Sequence, residues 1–167
     1  AVMREVLAEA ERAGICSSNA WWLLAVAHDN QGELEPAFEA VLKAVALDPL
    51  EPNVRNSRDV IVRRIGEALA HPERADEDPS TPRLYRLAQR AGQVPLGAHL
   101  AMVRHHLASG AVAEARKLAE AVTIAFPVAP AAWRAKAKVA RRLGDEEGAR
   151  AAEAQAALAA PSDAPFG

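Results

Sequence analysis

A repeat interval of about 34 residues, the hallmark of helix-pair repeats, constrains this chain more than any other feature. One such interval separates Gly110 from Gly144. Gly32, Gly110 and Gly144 each precede a proline by one constant distance, at Pro49, Pro127 and Pro161. Trp21, His99 and Trp133 each precede those glycines by a second constant distance. An interval of this size holds one helix pair, which can bury its apolar face only against the next copy. The interval therefore predicts an all-α helical solenoid. Composition agrees: half of the residues are hydrophobic but only 4% are aromatic, and alanine supplies much of the apolar content. Alanine favours helices that approach closely, whereas a sheet needs more β-branched and aromatic residues.

The apolar pattern divides the chain along this interval. A first helix is expected over 1–14, where Val2, Met3, Val6, Leu7 and Ala10 form a stripe at helical spacing. Gly14 stops it, and Ser17, Ser18 and Asn19 offer cap oxygens for a second helix over 19–30. Gly32 supplies the turn. A third helix carries Pro36 in its first turn, where a missing amide hydrogen costs little, and ends at Asp48 and Pro49.

These residues resemble the tetratricopeptide repeat. On the first helix of the pair, Trp21, Leu24, Ala25 and His28 take the family's places for tryptophan, leucine, a small residue and an aromatic. On the second helix Ala37, Val41 and Ala44 follow, and Pro49 closes the unit. His28 and Val41 depart from the aromatic preference. The same frame gives His99, Met102, Val103, His106, Gly110, Ala115, Ala119, Val122 and Pro127, and then Trp133, Lys136, Ala137, Ala140, Gly144, Ala149, Glu153, Ala156 and Pro161. Lys136 and Glu153 are charged where the family is apolar, as suits a last unit with no follower, so its final helix reads as a solubilising cap. The resemblance implies a right-handed α-α superhelix.

From Gly32 to Gly110 the chain exceeds two such repeats by about ten residues. The surplus falls at 71–82, where Pro72, Glu73, Asp76, Glu77, Asp78, Pro79 and Pro82 cannot build a core. Val54, Ile61, Ile65 and Leu69 mark a helix before it, and Leu84, Leu87, Ala88 and Ala91 one after it. The expected organisation is a single domain: a half repeat or N-terminal helix at 1–15, a repeat at 19–49, a degenerate repeat with an acidic loop at 50–95, repeats at 96–127 and 130–161, and a tail at 162–167. The half repeat is what a fragment of a longer array would show, and the chain starts at Ala1 with no methionine.

Chemistry is sparse. The sequence holds no nucleophile motif, phosphate loop, dinucleotide fingerprint or Cys-x-x-Cys. His99 and His106 share a helix face but lie two turns apart, about 10 Å, too far to chelate one ion. No cofactor or metal is expected. The single cysteine, Cys16, cannot form an internal disulfide, and it reads as a small buried hydrophobe; the residues before it do not form a lipoprotein box. A net charge of −2 argues against general nucleic-acid binding. The longest apolar run, 20–27, is too short for a membrane span, and no signal-peptide pattern stands out. Compartment stays open between cytoplasm and periplasm. The excess of arginine over lysine fits a GC-rich bacterial genome.

The functional promise lies in charge. The stretch 133–143 carries Arg134, Lys136, Lys138, Arg141 and Arg142 without an acid. Arg134, Lys138 and Arg141 share one helix face, and Arg104 holds a matching place one repeat earlier. The resemblance places these positions in the concave groove that receives partner peptides. A basic strip there suits an acidic peptide or a chain-terminal carboxylate. The alternative is a solvated face answered by Asp145, Glu146 and Glu147 at the next helix start. In the first full repeat the matching positions are Asn19, Trp22, Val26, Asp29 and Asn30. Trp22, beside Val26, reads as an exposed anchor for an apolar side chain, or else as packed under the first helix. The acidic loop reads as a second contact surface or as a solvated stretch. The expected function is a non-catalytic scaffold or adaptor that binds a protein or peptide partner. Two rivals stand beside it: a regulatory or substrate-presenting arm of a larger enzyme, and a self-assembling module that forms homo-oligomers.

Overall fold

The structure is a computed structural model that describes residues 5, 17–71, 75–92 and 94–159. Apart from Glu5, the expected half repeat at 1–15 lies outside the described residues, as do Cys16, Pro72, Glu73, Pro161 and the tail at 162–167. The described residues form eight helices and no strand: α1 (Ser18–Asn30), α2 (Leu34–Leu47), α3 (Pro52–Ala70), α4 (Thr81–Arg90), α5 (Leu96–Ala108), α6 (Val112–Ala125), α7 (Pro130–Arg142) and α8 (Glu146–Ala159). They fall into two compact units, Ala1–Ala68 with Leu87–Gly92, and Leu69–Arg86 with Gln93–Gly167.

In the first unit α1 and α2 form an antiparallel pair. The Ser17 side chain accepts the Ala20 amide at 3.3 Å and caps α1. At the far end Gly32 adopts φ 75°. The Gly32 amide donates to the Asp29 carbonyl at 3.0 Å, and the Glu33 amide to the His28 carbonyl at 2.9 Å. This paired closure ends a helix only where its last residue can turn left-handed, and glycine does so without a Cβ penalty. Gly144 repeats the same two bonds at φ 77°, which explains the spacing in the sequence. Trp21, Leu24, Ala25, Ala37, Val41 and Ala44 are buried, in their repeat places. Phe38 is fully buried as well, one turn before Val41. It supplies the aromatic bulk that Val41 lacks, and its burial contributes about 1.5–3 kcal/mol. On α3, Val54, Ile61 and Ile65 are buried, and Leu87, Ala88 and Ala91 join this unit. Arg90 stacks over the Phe38 ring, 5.7 Å from its centroid, and pairs with Glu39.

In the second unit α5 packs on α6, α6 on α7, and α7 on α8, with α5 also touching α7. Its centre is Val103, Leu107, Ala115, Ala119 and Val139. Small residues set the spacing. A Cβ at Gly97 would stand 2.6 Å from the Ala70 Cβ, so the backbone there tolerates no side chain. His99 is half-buried between two rings: Tyr85 at 5.6 Å and Phe126 at 5.9 Å between centroids, both edge-on. The Tyr85 hydroxyl and His99 Nδ1 share a hydrogen bond of 2.7 Å. Burial lowers the His99 pKa and raises that of Tyr85, because desolvation disfavours either charged form.

Candidate partner-binding site

The repeat register aligns one stripe on each of two neighbouring helices. On α5 the stripe is Arg104, Leu107 and Ala108, spaced i, i+3, i+4 and therefore on one face. On α7 it is Lys138, Arg141 and Arg142, each one full repeat after its counterpart. Together with Asp76 from the acidic loop, these six line an open concavity of about 400 Å³. Four of the seven lining residues are cations and one is an acid. Two of the cations have partners. Arg104 Nε donates to Asp76 Oδ1 at 3.0 Å. Arg141 donates to Glu153 on α8, whose carboxylate raises the arginine pKa through a hydrogen bond and its charge, so the guanidinium stays protonated. Lys138 and Arg142 are exposed and have no ion-pair partner among the described residues. The site is thus a shallow basic concavity with an apolar patch at Leu107 and Ala108.

Of the residues expected in the groove, Arg104, Lys138 and Arg141 come together here. Arg134 is exposed on the same helix but does not line the concavity. The charge pattern of the sequence includes Arg142 but does not mark Leu107 or Ala108. The register that links Arg104 to Lys138 also links Leu107 to Arg141 and Ala108 to Arg142, and it is the signal that finds them.

The first unit treats the same positions differently. Trp22 is half-buried, and its indole N–H donates to the Ser57 hydroxyl on α3 at 2.8 Å. Val26 is half-buried. Asp29 pairs with Arg64 of α3 at 2.7 Å, and Arg64 also donates to the Asp29 carbonyl at 3.1 Å. No sequence signal marks Ser57 or Arg64 for these contacts. The acidic loop meets its own chain. Asp76 reaches Arg104, and its carbonyl lies 3.0 Å from His105 Nδ1. Asp78 Oδ1 accepts from the Ser80 amide at 2.8 Å and the Ser80 hydroxyl at 2.7 Å, a local turn that leads into α4.

Among the described residues no three His, Cys, Asp or Glu side chains gather closely enough to hold a metal ion. No helix among them is long and apolar enough to cross a membrane.

Paired helices, Schellman-closed turns and a stripe that recurs once per repeat define a class: helical solenoids that present successive helix faces to a ligand. Comparison with family profiles makes the class particular. The profile described as tetratricopeptide repeat matches residues 4–52 and 100–165, and the chain belongs to this family. Comparison with curated proteins finds no match. Tetratricopeptide repeats generally mediate protein–protein interactions and typically act as non-catalytic scaffolds.

Proposed function

We propose that this chain is a non-catalytic interaction module whose second unit binds an acidic segment of a partner protein. The basic concavity between α5 and α7 carries this reading, above all Lys138 and Arg142, which have no ion-pair partner among the described residues. An acidic side chain placed there gains charge-assisted hydrogen bonds, each worth about 0.2–1 kcal/mol at such exposed cations, so several must act together. The apolar floor at Leu107 and Ala108 receives the stem of the same side chain. The density of cations on one face also steers an acidic ligand toward the site.

A fluorescein-labelled hexaglutamate peptide, followed by anisotropy, tests the reading. Wild-type protein should bind it with an affinity that falls as salt screens the charges. Lys138→Glu should weaken binding about tenfold or more, the factor that corresponds to about 1.4 kcal/mol. Arg134→Ala, outside the concavity, should have a smaller effect. Equal affinity for wild type and Lys138→Glu would overturn the site.

A further inference from the structure

We propose that the acidic loop is a built-in competitor for the basic concavity: residues 75–80 occupy part of it through Asp76, and a partner's acid must displace them. This rests on the reading of the concavity as a binding site. Three observations on the second unit carry it. Asp76 is the one acid lining a concavity with four cations. Its carboxylate accepts from Arg104 Nε at 3.0 Å, with both side chains partly solvated, so the contact can open. Its main-chain carbonyl lies 3.0 Å from His105 Nδ1. One loop residue therefore presents to α5 both an acid side chain and a backbone acceptor, as a bound acidic peptide would.

The loop has the right mechanics for this role. It is tethered in the same unit by the end of α3 and the start of α4. Tethering gives Asp76 a high effective concentration at Arg104 without any gain in intrinsic affinity. The Asp78–Ser80 turn restrains the chain two residues further on, so less conformational freedom is lost when Asp76 docks. A competitor of this kind lowers apparent affinity by the fraction of molecules with the site open. An exposed ion pair holds weakly, which sets the effect at about two- to fivefold. Lys138 and Arg142 stay available while the loop is docked, so an incoming acid can engage them first and then take Arg104.

Asp76→Asn removes the carboxylate and keeps the size of an exposed side chain, and the hexaglutamate peptide is again the probe. The Asp76→Asn protein should bind it about two- to fivefold more tightly than wild type. Glu77→Gln makes the same change in net charge one residue away and should tighten binding less. Amide exchange of Asp78, whose N–H donates to the Ala75 carbonyl at 3.1 Å, should accelerate when the peptide is added to wild-type protein. If Lys138→Glu weakens binding while Asp76→Asn matches wild type or Glu77→Gln, the competitor is overturned and the binding site stands. Binding that is indifferent to Lys138→Glu, or absent from every variant, overturns both.

Discussion

The same three register positions do not all meet the same fate in the two units. In the first unit they are Val26, Asp29 and Asn30, and Asp29 is held by Arg64 of α3. One turn before Val26, Trp22 is held by Ser57 of the same helix α3. In the second unit the positions hold Arg104, Leu107 and Ala108, then Lys138, Arg141 and Arg142, and they face an open concavity. The helix pairing that creates the face is common to both units. The side chains on the neighbouring helix decide whether that face becomes an internal seam or a surface for a ligand. In a solenoid, fold membership therefore supplies candidate positions, and their partners select which of them remain free.

The largest expected effect tests the first unit as a packed seam. Phe38→Ala should cost about 3–5 kcal/mol in urea unfolding, since it empties a fully buried ring site. Gly97→Ala tests the close approach in the second unit. The added Cβ meets Ala70, and a loss of about 1–3 kcal/mol is expected in the same measurement. Ser57→Ala should cost about 0.5–1.5 kcal/mol by orphaning the Trp22 indole, yet leave hexaglutamate affinity unchanged. A weakened peptide complex in that variant would erase the distinction between seam and surface. The smallest effect concerns pH. Burial lowers the His99 pKa from 6.5, so the unfolded chain takes up the proton first. Its contribution to stability is present above about pH 6.5 and declines as the solution is acidified through that value. His99→Phe should flatten the slope of urea stability between about pH 7 and 5, and an unchanged slope would remove His99 from this role.

The fold was legible because glycine and proline report backbone geometry directly. Gly32, Gly110 and Gly144 all have φ near 75°, and that demand is written in residue identity. The apolar places were equally plain, since Trp21, Ala25, Ala119 and Val122 are buried at repeat positions. Phe38 carries no such mark, because the frame assigns its neighbours, Ala37 and Val41, and tertiary space rather than the frame decides where the aromatic bulk goes. The candidate site was half legible. Arg104, Lys138 and Arg141 follow from the register, while Asp76 depends on where a long loop lands. Loop closure of that length is set by contacts distant in sequence, here Asp76 with Arg104, 28 residues away. The Trp22 contact is illegible for the same reason: Ser57 lies 35 residues on, and a serine in a helix carries no mark of its partner.

The three tryptophans give the molecule a set of optical reporters. Trp21 is buried with the Lys43 ammonium 4.0 Å from its ring, and Trp22 is bonded to Ser57, so both emit from the first unit. Trp133 is the second unit's own indole. It donates to the Pro127 carbonyl at 2.8 Å, and the Lys136 ammonium lies 5.4 Å from its ring. It sits on the helix that carries Lys138, Arg141 and Arg142. An acid arriving at those cations changes the electric field across that ring, and the emission wavelength of a protein with Trp21 and Trp22 replaced by phenylalanine would register its arrival without any label.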